Sequence, residues 1–412
     1  AEYVADGTPG GQGSLSKRGG IQALTSALNS GAEIRGMIGL PLQTTFTRTL
    51  YAALQTAGSD TWVKSTDGTT WSPVTAPDRL ALYNGKFDAV TNAGAMIKIT
   101  NRIAAFGTQL VFPGNDYTID TTNPPLRRYA GTTESNVEVF RVPAGPVSTA
   151  GFAQLISDML VANNAIYFSV QDGGGAGNDQ RGYVVQLDIE TGVVSQIGEH
   201  FASSGLIDGA PGPLVWYQGK LWVGTGAGTG PSGRIAWAVP GVDATWTTDV
   251  NTAGESICSM AVFRGDLFAG FEGDAGVCSI KRRTASTGAW ANVETGDTTG
   301  SAHFACLIVY NDELYAVRYF TGADDILLIR KSADGASWST DSDVESAFGG
   351  VISSASLFPG NAVVFGGDLY ISFRSVSAAS SDGFILRKSA GVWSKVYTGN
   401  LQGAMGVLLE RS

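Results

Sequence analysis

Along most of the chain, short apolar runs of alternating polarity are broken by tight polar turns, and one phrase recurs. It is an apolar strand, a turn rich in Gly, Asn or Asp, and a second strand that opens on Leu or Ile, usually with an aromatic close behind. It reads AAFGTQLVF ending at Phe112, LVANNAIYF ending at Phe168, VWYQGKLWV ending at Val223 and VFRGDLFAG ending at Gly270. It returns as VYNDELYAV ending at Val317 and VFGGDLYIS ending at Ser372. Alternating apolar positions around such a turn predict a β-hairpin with one buried face. The Leu or Ile after each turn falls at Leu50, Leu110, Ile166, Leu221, Leu267, Leu314 and Leu369, a period of roughly 50 residues. A second marker keeps register with the first: Trp71, Trp246, Trp290, Trp338 and Trp393 follow Leu50, Leu221, Leu267, Leu314 and Leu369. A repeat of this length holds about four short strands, so the pattern predicts an all-β fold, a β-propeller of seven four-stranded blades.

The repeat occupies residues 46–412. The C-terminal GAMGVLLERS supplies one apolar strand with no partner after it, which predicts ring closure: this strand joins the blade of Leu50 and removes an exposed edge. LALYNGKFDAV, from Leu80 to Val90, also has the hairpin pattern but lies too near Leu110 for a further blade, and reads as an elaboration of the first one. Residues 1–45 lie outside the repeat. They are rich in Gly, Ser and Thr and have little apolar surface, which predicts an extended arm that docks on a neighbouring subunit.

Ahead of the tryptophans stand polar, turn-rich runs: KSTDGTTW from Lys64, KSADGASW from Lys331, KSAGVW from Lys388 and the looser KRRTASTGAW from Lys281. They resemble the Asp-box hairpin, with one residue fewer between the Asp and the aromatic. Ser65, Asp67, Ser332 and Asp334 are accordingly expected to lock turns through side-chain to backbone bonds.

Composition narrows the chemistry. Of 412 residues, 43% are apolar, enough to bury a sizeable core, and the net charge of −10 argues against a protein that grips nucleic-acid phosphates. No stretch reaches the roughly 18 continuous apolar residues of a membrane span. The three cysteines, Cys258, Cys278 and Cys306, are too few and too scattered for a disulfide framework and form no CxxC pair; they read as free, buried thiols. With only His200 and His303, chemistry based on a histidine cluster is excluded. No GxSxG, GxxxxGK[ST] or HExxH is present.

Three candidates remain, each with a plainer reading beside it. Gly174, Gly175, Gly177 and Asp179 have the GGxGxD spacing of calcium-binding β-rolls, with Asp172 as a further oxygen donor, but a single copy with Arg181 beyond it fits a blade loop better. The Asp-box resemblance raises sialidase chemistry, which that family performs with an Arg-Ile-Pro start, two more arginines and a Tyr paired with a Glu. Here FRVP, with Arg141, follows the first box, only Glu345 lies between Glu313 and Glu410, and Arg234, Arg318 and Arg374 are the arginines left to converge. Trp216, Trp222, Tyr315 and Tyr370 could stack on sugars, but their places inside predicted strands favour core packing.

At the start, LSKRGGIQALTS, EIRGMIGLPL and TRTLYAAL resemble the opening of tail and nozzle propellers of tailed bacteriophages, where a KRxG phrase precedes an RG phrase and an LYA first hairpin. The matching positions are Lys17, Arg18, Gly20, Arg35, Gly36, Leu50, Tyr51 and Ala52, with Gly19 where Pro is often found. The resemblance implies a structural virion component, hub-like or nozzle-like, that assembles with other virion proteins and copies of itself. It implies binding in place of catalysis, so no catalytic residue, cofactor or metal is expected. The alternative is a secreted, extracellular glycan-binding or sialidase-like Asp-box propeller that meets a host-surface glycan.

Overall fold

The computed structural model describes residues 3–4, 14–15, 49–56, 59–73, 104–106, 109–113, 125–130, 133–141, 154–163, 165–172, 181–188, 194–201, 211–226, 232–253, 255–273, 278–296, 301–321, 326–348, 357–375, 383–399 and 408–411. By contacts the chain divides into Ala1–Phe46 and Thr47–Ser412. In the first unit, Tyr3–Val4 pairs antiparallel with Ser14–Leu15. Residues 80–90 and 173–180, which hold the extra hairpin pattern and most of the GGxGxD motif, lie outside the described residues, as do the side chains of the predicted arm.

The second unit is all-β apart from one short helix, Val344–Phe348, among the described residues. Its strands form antiparallel four-stranded sheets over residues 104–141, 154–201, 211–253 and 357–399, and two more, 255–295 and 301–343, joined into one eight-stranded sheet. The last sheet has strand order Leu408–Arg411, Thr49–Thr56, Ser59–Ser65, Ser72–Pro73. The C-terminal strand therefore completes the sheet that opens the repeat, with Thr49 opposite Arg411 and Ala52 opposite Leu408, as the unpartnered C-terminal pattern predicts. The first strands of these sheets neighbour one another in a closed order that runs from Ala104–Phe106 through the other sheets to Leu408–Arg411 and back. This is the radial arrangement of a β-propeller.

The sequence markers explain the hairpins. Each marker Leu or Ile lies in the second strand of its sheet, and Ile166, Leu221, Leu267, Leu314 and Leu369 are fully buried. The turns before them place both central residues at positive φ: Gln218 and Gly219 at 50° and 72°, Arg264 and Gly265 at 49° and 84°, Asn311 and Asp312 at 48° and 59°. Two consecutive left-handed residues match the right-handed twist of the flanking strands, which is why Gly, Asn and Asp recur there. A register shift bends five of the first strands, between Ile156 and Asp158, Pro211 and Leu214, Ile257 and Ser259, Ala305 and Ile308, and Pro359 and Ala362.

Strand alternation sends side chains of the second strand to opposite faces, so each sheet packs on both neighbours. The residue after the marker faces the following sheet. Tyr167 packs with Trp246, Trp222 with Trp290, Phe268 with Trp338, Tyr315 with Trp393 and Tyr370 with Trp71. The tryptophan marker of one sheet thus shares an apolar cluster with the residue next to the Leu or Ile marker of the sheet before, repeated from sheet to sheet.

Candidate functional site

The polar residues singled out by the sequence gather at these contacts between sheets. In KSTDGTTW, Ser65 lies opposite Leu50 in the strand register. The Ser65 hydroxyl accepts from the Gly68 amide at 2.8 Å and donates to Asp67 Oδ1 at 3.0 Å, while that same oxygen accepts from the Thr69 and Thr70 amides at 2.8 and 2.7 Å. KSADGASW repeats this bond for bond: Gly335 N to Ser332 Oγ at 2.8 Å, and Ala336 and Ser337 N to Asp334 Oδ1 at 2.8 and 2.7 Å. Gly68 and Gly335 both sit at φ 73°. The Thr70 and Thr69 amides hold the Asp67 carboxyl well below the usual carboxylate range, and the Ser337 and Ala336 amides do the same for Asp334. These four residues lock their turns, as expected.

KRRTASTGAW and KSAGVW adopt a different chemistry. The residues opposite Leu267 and Leu369, where the other two runs place Ser, are Arg283 and Lys388. Arg283 donates to Asp249 of the preceding sheet through Nε at 2.8 Å and Nη2 at 3.2 Å, and Trp290 Nε1 donates to the same carboxylate at 2.6 Å. Lys388 donates to Asp341 of its preceding sheet, and Trp393 Nε1 reaches the same oxygen at 2.6 Å. Each cation also lies over the aromatic that follows the marker one sheet back: Arg283 over Trp222 at 4.9 Å, Lys388 over Tyr315 at 4.9 Å. Burial raises the Asp341 carboxyl, but the Lys388 and Trp393 donors outweigh it and leave it below the usual range. Where Ser locks the turn instead, Trp71 Nε1 and Trp338 Nε1 are buried without a hydrogen-bond partner.

This ion clamp was not anticipated. Its sequence signal is a basic residue in the Ser position together with an Asp three residues after the tryptophan of the previous repeat, as in Trp246 to Asp249 and Trp338 to Asp341.

Of the arginines expected to converge in a sialidase site, the two whose side chains are described, Arg234 and Arg318, are engaged in separate places. Arg234 is buried on a third strand, donates to Thr248 Oγ1 at 3.2 Å and lies over the Phe201 ring of the preceding sheet. Arg318 is on a second strand two sheets further on, and its guanidinium faces Cys278. The side chains of Arg141 and Arg374 lie outside the described residues, as does that of Asp172, which ends its strand. Trp222, Tyr315 and Tyr370 are each 1% exposed, which denies them to a sugar ring, and half-buried Trp216 stacks on Tyr167 at 5.7 Å. Burial pushes the Cys278 thiol up to about 11, with Arg318 opposing, so it stays protonated and is no nucleophile near neutrality. Cys258, Cys278 and Cys306 form no disulfide, as expected, but only Cys278 is buried; Cys258 and Cys306 are half-buried. No group of three or more metal-ligating side chains occurs among the described residues.

No protein-family model matches the sequence, and no curated protein matches it significantly. Solved structures do share its architecture. A puromycin hydrolase superposes with a TM-score of 0.52 at 13% identity over 88% of this chain, and a puromycin-hydrolyzing peptidase of Mycobacterium tuberculosis with 0.52 at 12% over 87%. This chain spans about half the length of both, covering 52% of each. A candidate 6-phosphogluconolactonase from Bacteroides uniformis gives 0.53 at 11% identity, covering 88% of this chain and 99% of that one. At such identities the likeness defines the fold alone. The class of the protein is a β-propeller-like all-β fold built of four-stranded antiparallel sheets.

Proposed function

We propose that the chain is a structural, non-enzymatic propeller of a tailed-bacteriophage particle, hub-like or nozzle-like in the tail, that assembles with other virion proteins and with copies of itself. The observation that carries this reading is the series Lys17, Arg18, Gly20, then Arg35, Gly36, then Leu50, Tyr51, Ala52, set immediately before a propeller. The packing between sheets suits the role. Ser65, Asp67, Asp249, Arg283, Ser332, Asp334, Asp341 and Lys388 all hold turns or sheets together, as a scaffold requires. On this reading residues 1–45 dock on a neighbouring subunit.

The test is a mass-spectrometric inventory of purified virions joined to a particle reconstruction. The expected result is the chain in the tail at a fixed copy number; its absence from purified particles overturns the reading. A second reading, a secreted glycan-binding or sialidase-like propeller, draws on the two Ser-x-Asp-Gly turns and their tryptophans. Sugar release from a fluorogenic sialoside, abolished by Arg141→Ala, would establish it in place of the first.

A further inference from the structure

Where one sheet packs on the next, a position on the fourth strand of the first faces a position on the third strand of the second. The fourth-strand position lies three residues after the tryptophan, at Asp249, Val293, Asp341 and Val396. Each shares a hydrogen bond or an apolar cluster with the tryptophan of the following sheet: Trp290, Trp338, Trp393 and Trp71. In the sheet of residues 154–201 the place falls to Gly198, where a Cβ would lie 2.5 Å from Trp246 Nε1. The third-strand position is the residue opposite the Leu marker: Ala238, Arg283, Ser332, Lys388 and Ser65.

Five consecutive contacts therefore read Gly198 with Ala238, Asp249 with Arg283, Val293 with Ser332, Asp341 with Lys388 and Val396 with Ser65. Neutral and charged pairs alternate along the whole series. The charged pairs are well covered, with side chains 13% and 14% exposed for Asp249 and Arg283 and 8% and 5% for Asp341 and Lys388.

A chain of similar repeats runs a particular risk: a sheet can dock on the next but one, in its own chain or in another copy. Under alternation every such slip joins unlike positions. Gly198 would meet Arg283 and Val293 would meet Lys388, each leaving a covered cation without its acid. Asp249 would meet Ser332, and Asp341 would meet Ser65 and keep only Lys331 of its own sheet, at 3.3 Å. Stranding one member of a buried pair costs far more than exchanging the whole pair for neutral residues. A uniform row of either kind would tolerate the slip, because discrimination needs an element that penalises the wrong partner.

We propose that the alternation is a docking code: it fixes each sheet to its neighbour in sequence and rejects the next but one. The test is refolding of the full chain by dilution from denaturant, read by size-exclusion chromatography with light scattering, with the species formed by the unaltered chain as reference. Asp341→Val with Lys388→Ser copies the neutral pair of Val293 and Ser332, so that 301–343 or 357–399 can be passed over without a stranded charge. This variant should place about threefold more chain outside the reference species. Gly335→Ala, which weakens the fold and leaves the alternation intact, should raise that fraction by less than about 1.5-fold. An unchanged fraction in the paired variant overturns the proposal, and so does an equal rise in Gly335→Ala, which would trace misassembly to lost stability. Asp249→Val with Arg283→Ser makes the same comparison at the other clamp and decides the outcome if the first variant does not fold. Failure of both to reach the reference species would show that the clamps are needed in register, and overturns the code as well.

Discussion

Gly68 lies directly on Tyr370: a Cβ placed on the glycine would come 1.7 Å from the tyrosine hydroxyl oxygen, at a backbone φ of 73° that side chains rarely adopt. Gly335 repeats the arrangement one lock away, with its Cβ position 2.4 Å from the Phe268 ring at the same φ. Two unrelated costs coincide at each position, and they can be separated by comparison with a glycine that carries only one.

Gly68→Ala and Gly335→Ala should each lower stability by about 2–4 kcal/mol, combining left-handed strain with overpacking. Gly219→Ala, at φ 72° with nothing within 4 Å of its Cβ position, should cost only about 1 kcal/mol. Chemical denaturation of the three variants checks the ranking; equal losses would show that the aromatic contact does not constrain the turn.

The ion clamp should behave as a buried pair. Asp341 and Lys388 side chains are 8% and 5% exposed, so Asp341→Ala strands a buried cation and should cost about 3–5 kcal/mol. Arg264 and Asp312 also bridge two sheets, at 2.7 Å, but are 49% and 79% exposed. Asp312→Asn, which removes the charge but keeps a residue suited to the turn's positive φ, should therefore change stability by less than about 1 kcal/mol. Thermal melts of the two variants measure the contrast, and similar shifts would place the clamp among ordinary surface pairs.

The hairpins were legible in the sequence because everything that specifies them is local: alternation, a turn needing two positive φ values, and a buried Leu or Ile two or three residues on. Ring closure was legible for a related reason, since GAMGVLLERS offers a strand and no partner. The clamp was not, because its members stand 34 and 47 residues apart and belong to successive repeats. In KSAGVW the run also resembles a shortened KSxDGxxW, so Ser389 looks like the locking residue. The strand register instead sets Lys388 opposite Leu369 and gives the position to a cation. The fate of Arg234 and Arg318 was likewise invisible, because convergence of arginines depends on which face of which strand each occupies.

Acid should weaken the fold through identifiable carboxylates. Asp67, Asp334 and Asp341 all ionise below their ordinary value of 3.8 in the folded chain. A depressed folded value gives stability that is complete above the unfolded value and is lost as pH falls through the folded one. The melting temperature should hand over from a plateau above about pH 5 to a fall below about pH 4. Asp67→Asn with Asp334→Asn removes two of these three groups and should lessen that fall. An unchanged acid slope in the double variant would falsify the assignment.

A buried thiol contributes to the alkaline side, beside buried tyrosines such as Tyr315 and Tyr370 that burial also raises. Cys278 is fully buried and its thiol is raised from 9.0 to about 11, mainly by burial, whereas Cys258 and Cys306 are half-buried. Because the thiolate is the reactive form, iodoacetamide at pH 8 should label Cys258 and Cys306 in the native chain and reach Cys278 only after denaturant is added. The sign of the linkage is opposite to that of the carboxylates. A raised folded value contributes stability that is present below pH 9 and lost as pH climbs through about 11, since the unfolded thiol ionises first. Cys278→Ala should therefore reduce the alkaline loss of stability relative to the unaltered chain, whatever it does to stability at neutral pH. Peptide mass spectrometry after timed alkylation reads the first outcome and melts between pH 8 and 11 read the second; rapid native labelling of Cys278 would show that its packing against Arg318 and Gly296 opens to solvent and reagent.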